Sequence, residues 1–180
     1  MKALNYISGW LICLFASFAM TTVTAQTQAT PQVTDPEIAS IVIAANQIDV
    51  NYGKVALNKT TNADAKQFAQ TMIKDHESLI KATKELAKKL GVTPKDNAIT
   101  QSLLKGEKEN MAKFAKLKGK AFTKAYIDNE VAYHDAVINT VKNVLIPQAK
   151  NDELKQTLIS VSPLLEHHLE MAKMAQAKIK

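Results

Sequence analysis

The sequence predicts an all-α protein, a four-helix bundle with a partly helical connection between its second and third long helices. Three observations predict it. Apolar residues recur at spacings of three and four along four long stretches of the chain. Residues that stop helices separate those stretches, at Thr60 to Asn62, at Gly91 and at Pro147. No segment after residue 25 shows the sustained alternation of a half-buried strand.

The first element is not part of the bundle. Lys2, the apolar run Ile7 to Met20, and small residues at Val23 and Ala25 form the pattern of a signal peptide spanning residues 1–25. The run is shorter than the roughly 20 residues a helix needs to cross a bilayer, so removal is expected rather than anchoring. The only cysteine, Cys13, lies inside that run and follows Ile12, where a lipoprotein signal would place a small residue. The mature chain would then have no disulfide and would depend on packing, and its length suits one domain of 35–180. Residues 26–34 are polar and unpatterned and are expected to form a flexible leader.

Asp35 before Pro36 predicts an N-cap with proline in the first turn, and Ile38, Val42, Ala45, Asp49, Tyr52 and Ala56 then trace the first helical stripe. Asn62 is placed to cap the second helix. Its stripe is Ala65, Ala69, Met72, His76, Leu79, Thr83, Leu86 and Leu90, with Gly91 as the stop. From Gly91 to Lys120 the period weakens, and Pro94, Gly106 and Gly119 divide short amphipathic pieces, which predicts a connection only partly helical. The third long helix is expected from Ala121 to Ile146, ending at Pro147, with a stripe of Ile127, Val131, His134, Ile138, Val141 and Leu145. Asn151 is placed to cap the fourth, whose stripe is Leu154, Leu158, Val161, Leu165, His168, Ala172, Ala175 and Ile179. Pro163 should kink or divide that helix.

Each apolar stripe carries one polar interruption: Asp49, His76, His134 and His168. Asp49 and His76 lie equally far from the turn at Thr61, so they should meet across the first hairpin. His134 and His168 differ in depth by roughly one helical turn. Imidazole nitrogens and a carboxylate oxygen suit zinc, copper, iron or manganese, and the facing helices of a bundle are a recurrent place to build such a site. Two readings fit the pattern: a single transition-metal ion held by Asp49, His76, His134 and His168, or a metal-free buried Asp/His network that fixes helix register. Glu130, and Asp75 beside His76, fit either as edge ligands or as partners orienting an imidazole or, more simply, as surface acids. His167 is one position off its stripe and is expected at the boundary or in solvent. A ferritin-type dinuclear centre would need Glu-x-x-His pairs, and the chain has none.

The net charge of +6 and pI near 9.3 raise nucleic acid as a partner, but all 23 cationic residues are lysines, interspersed with acids. Arginine is the usual reader of phosphate and base edges, so no nucleic-acid partner is expected. Neither a phosphate-binding glycine loop nor a nucleophile elbow is present.

Residues 46–56 (NQIDVNYGKVA), 68–76 (FAQTMIKDH), the start of the third long helix from Phe122 through Tyr126 to His134, and residues 163–172 (PLLEHHLEMA) together resemble the bacterial domain-of-unknown-function 4142 family. These are exported proteins of the ferritin-like superfamily, often labelled putative outer-membrane proteins. The resemblance covers nearly the whole mature chain and implies a ferritin-like four-helix bundle in which His76, His134 and His168 match recurring histidines. Asp49 stands where the family usually has glutamate, one methylene longer, and His167 lies outside the pattern. No activity comes with the resemblance. The expected function is therefore a periplasmic or peripheral envelope protein, or an extracellular one, binding one metal ion. The alternatives are a structural or interaction module of the envelope and, third, a metal-dependent oxidoreductase. A transmembrane barrel is not expected, since its repeated alternating strands are missing.

Overall fold

The computed structural model describes residues 31–179; the expected signal segment and residues 26–30 of the expected leader lie outside the described residues. The chain folds into helices α1 (Asp35–Lys59), α2 (Ala63–Lys89), α3 (Ala98–Lys116), α4 (Gly119–Thr140), a π-helical turn (Val141–Leu145), a short α5 (Ile146–Gln148) and α6 (Asp152–Lys178). No strand occurs among the described residues. Helices α1 and α2 pair as one hairpin, and α4 and α6 as a second. Contacts of α1 with α4 and of α2 with α6 close the four-helix bundle, and α3 lies against α1. None of these helices is long and apolar enough to cross a membrane.

The helix ends follow local chemistry. Asn62 Oδ1 accepts from Ala65 N at 2.9 Å and Asn151 Oδ1 from Leu154 N at 3.1 Å, each satisfying an amide that the helix itself leaves without a partner. The expected cap at Asp35 is displaced by one residue. Thr34 is the N-cap, with its backbone N–H and hydroxyl both donating to Glu37 Oε2. Asp35 instead accepts from Lys150 N at 2.9 Å and Asn151 N at 3.0 Å, tying the start of α1 to the start of α6. At the end of α2, Gly91 adopts φ +65° and Val92 N donates to Ala87 O, a six-to-one closure that requires a left-handed residue.

Four expectations need correction. The connection between the second and third long helices is partly helical, as expected, but its helical part is one helix, α3, that passes through Gly106 rather than pieces divided there. Its period is weak because it buries a narrow seam, with only Thr100 and Phe114 fully enclosed. The helix begun by α4 does not stop at Ile146. A π-helical turn in which Ile146 N donates to Val141 O precedes Pro147, and the chain stays helical to Gln148. Widening that turn relieves the clash of the proline ring with the carbonyl four residues back. Of the kink or division expected at Pro163, division does not occur; Ser160 and Ser162 donate their hydroxyls to the carbonyls of Thr157 and Leu158 in the turn where proline has no N–H. Finally, the last part of the expected leader is docked. Gln148 accepts from Val33 N at 2.8 Å and donates to Pro31 O at 2.9 Å, and Val33 is buried beside Ile38 and Leu145.

Two apolar clusters fill the bundle. One is rich in aromatics, with Tyr52, Phe68, Phe114, Phe122 and Tyr126 around Met72 and Ala172. The other is aliphatic, with Ile38, Ile41, Val141, Leu145, Leu158 and Leu165. Along each of α1, α2, α4 and α6 the polar interruption falls between residues of the first cluster and residues of the second. The hairpin of α1 on α2 depends on Gly53, where an added Cβ would lie 2.8 Å from Ile73 Cγ1 and 3.1 Å from Ala69 O. Gly53→Ala should therefore destabilise the protein by about 1–3 kcal/mol, read as a lower urea midpoint, since both helices must separate to admit one methyl.

Candidate metal centre

The four interrupting residues converge. Asp49 from α1, His76 from α2, His134 from α4 and His168 from α6 are each at most 3 % exposed. The ring centroids of the three histidines are 5.1, 5.6 and 5.7 Å apart, and one nitrogen of each ring lies within 4.8 Å of the others. Asp49 Oδ2 stands 3.3 Å from His76 Nε2 and 3.4 Å from His134 Nε2. The depth mismatch counted between His134 and His168 is reduced because the third long helix continues past Pro147.

Each imidazole is oriented by a group that can only accept. His76 Nδ1 lies 2.7 Å from Asn46 Oδ1, and Asn46 is itself fixed because its amide nitrogen donates to Val42 O. His134 Nδ1 is 3.0 Å from the carbonyl of Glu130, one turn earlier on α4. His168 Nε2 is 3.1 Å from Asp75 Oδ2. In each case the outer nitrogen must carry the proton, so the lone pairs of His76 Nε2, His134 Nε2 and His168 Nδ1 remain. Those three atoms, with both oxygens of Asp49, are buried and have no hydrogen-bond partner.

Burial sets the charges. It pushes His76 and His168 down to about 4, against the upward pull of Asp75 on each, and lowers His134 against the pull of Asp49. Asp49 is raised to about 6, by burial first, with His134 and Glu130 opposing. Glu130 is raised well above its ordinary value by burial and then by Asp49. At neutral pH the centre is three neutral imidazoles, one carboxylate and one protonated carboxyl. Taken as two carboxylates, Asp49 and Glu130 would have no partner; a proton on Glu130 makes them a hydrogen-bonded pair.

An Asp49 carboxylate therefore faces two imidazole lone pairs, a repulsive arrangement unless a cation lies among them. Two ligand atoms each about 2.0–2.1 Å from a tetrahedral ion are about 3.3–3.4 Å apart. The two Asp49-to-imidazole distances match that edge. The three imidazoles, and separately Asp49 with Glu130 and His134, lie close enough together to hold a metal ion.

All four predicted site residues come together. Two neighbours were misjudged from sequence: Glu130 is fully buried rather than a surface acid, and Asp75 orients an imidazole, that of His168 across the bundle rather than its neighbour His76. Asn46 was missed, and the available signal was its place three residues before Asp49, one turn back on the same face. His167 is exposed, as expected. Among the tyrosines, Tyr52 and Tyr126 are core residues, and Tyr133 donates to Ala45 O at 2.9 Å.

The family described as Domain of unknown function (DUF4142) matches residues 19–175. No curated protein and no solved structure matches the chain.

Proposed function

The chain belongs to the DUF4142 family, whose designation carries no activity, and from its own buried centre we propose that it binds one transition-metal ion through His76, His134 and His168, with Asp49 as the fourth ligand. One observation carries the reading. Three imidazole lone pairs, each fixed by an acceptor on the far side of the ring, point together with a buried carboxylate into one space. Three nitrogens and one oxygen without sulfur suit zinc, copper, iron or manganese. Asn46, the Glu130 carbonyl and Asp75 hold the ligand rings in place, so little ordering remains to be done when the ion binds. A metal-free polar network accounts for these atoms less well, because His76 and His134 have their protons on the outer nitrogens and leave Asp49 only a protonated Glu130 to accept from.

The same proposal places the protein outside the cytoplasm, on the pattern of residues 1–25 and the absence of cysteine after Cys13. Metal content tests the binding reading. Residues 26–180, purified without an affinity tag of histidines, should hold about one equivalent of a single transition metal after reconstitution. A His76→Ala/His168→Ala variant with unchanged helical circular dichroism should hold none. A parent that takes up no zinc, copper, iron or manganese rejects the proposal.

A further inference from the structure

Next to the centre lies a partly open cavity of about 140 Å³, lined by α1, α2, α3, α4, the π-helical turn and α6. Its walls come from the aliphatic cluster, with Val42, Leu86, Leu103, Val137, Val161 and Leu165 among them. Among the described residues, the ionisable side chains that reach it besides the Tyr133 phenol are Asp49, His76 and His134. The other hydroxyls on its walls are turned back to the backbone: Thr83 donates to Leu79 O, Thr140 to Ala136 O, and Thr157 to Glu153 O, each one turn earlier. Tyr133 likewise donates to Ala45 O. The space is therefore apolar along its length, with the Asp49, His76 and His134 side of the centre as its polar end.

The sequence pattern explains the cavity. Val42, Leu79, Leu86 and Val161 all lie on the apolar stripes, yet they are only half-buried. All four line this space. The π-helical turn contributes Val141 and Leu145, and such widened turns are frequent at functional sites. An apolar space of about 150 Å³ lined by aliphatic and aromatic residues stays dry in an engineered protein and takes up benzene or xenon.

We infer that this cavity is a ligand chamber that admits a small uncharged apolar molecule, no larger than about benzene, to the Asp49, His76 and His134 face of the centre. The chamber stands on its own geometry; its role as access to a metal rests on the proposed function. Charged metabolites are excluded, since the walls away from Asp49 carry no fixed charge to offset their desolvation. The walls offer an apolar solute dispersion contacts that water cannot replace.

The experiment uses benzene as the probe and the mature chain in two forms, metal-free and zinc-loaded, with metal content measured on the same samples. Methyl NMR should show saturable one-to-one binding, with shifts confined to Val42, Leu79, Leu86, Val161 and Leu165. Val161→Phe, which fills the chamber from α6, should weaken benzene by at least about tenfold while leaving metal content unchanged. In the cobalt(II)-loaded protein the bound benzene protons should relax faster than in the zinc form. No saturable shift in the parent, or shifts centred elsewhere, overturns the chamber. Equal relaxation in the cobalt and zinc forms overturns access to the ion. If Val161→Phe loses its helical signal, the parent's methyl map decides alone. Benzene binding without any metal uptake would reject the proposed function and leave the chamber intact.

Discussion

Asp49→Asn should make the metal-free protein more stable by about 1–3 kcal/mol at pH 7.5 and weaken its metal affinity about 100-fold or more. The carboxylate is fully enclosed and faces the lone pairs of His76 Nε2 and His134 Nε2. An asparagine of the same shape replaces an uncompensated charge with an amide that donates to one of those nitrogens. The sign follows from the position of the group. Asp49 is raised from 3.8 to about 6, so the stability attached to its neutral form is fully present below 3.8 and lost as pH rises through about 6. That loss is worth roughly 3 kcal/mol in the parent and does not occur in the variant. Urea unfolding in the presence of a chelator should therefore show the advantage of Asp49→Asn at pH 7.5 and little of it near pH 4. A structural network in which Asp49 neutralises a protonated histidine predicts the reverse, a loss of about 3–5 kcal/mol. Destabilisation of the metal-free protein at pH 7.5 would reject the metal reading of this centre.

The bundle was legible because burial in a helix leaves a period that can be read residue by residue. Asp49, His76, His134 and His168 stood out as interruptions of apolar stripes, and placing Asp49 and His76 at one level needed only the 1.5 Å rise and the position of the turn, whereas His134 and His168 counted about one turn apart. What sequence could not supply was anything set between helices. Asp75 lies next to His76 in the chain but orients His168, because the α2 and α6 backbones pass at a level no single helix encodes. Glu130 resembled a surface acid because charge in a sequence predicts exposure, whereas here a turn of α4 places it behind Asp49. Proline misled twice. At Pro147 the structure accommodates the ring by widening the preceding turn, and at Pro163 neighbouring serines donate to nearby carbonyls. Helix α3 was underestimated because a helix that covers α1 with a narrow seam has little apolar period to show. The chamber was invisible for a related reason: its walls are ordinary stripe residues, and only their packing reveals that they do not meet.

Metal affinity should depend on pH through one proton rather than three. An exposed site of three histidines with ordinary values near 6.5 loses up to about 1000-fold in affinity per pH unit in acid, because three imidazolium protons compete with the ion. Here burial holds His76 and His168 down to about 4, so those two imidazoles are already free of protons at pH 5 to 6, and it lowers His134 below an exposed imidazole. Asp49, raised to about 6, is the ligand still protonated in that range. Its proton must leave when the ion binds. Affinity should then fall about tenfold per unit below pH 6, level off above about 7, and steepen only near 4, where the imidazoles begin to protonate. Burial and then Asp49 raise Glu130 well above its ordinary value, and Glu130→Gln, which cannot ionise, shows whether it adds to the slope. Zinc competition against a chromophoric chelator at pH 5, 6, 7 and 8 measures the slope directly, and calorimetry in two buffers of different ionisation heat counts the protons released. A slope near three between pH 5 and 6 would mean that the imidazoles are solvated and ordinary, and that the ion, if bound, is not held in the enclosed space between Asp49 and the three rings.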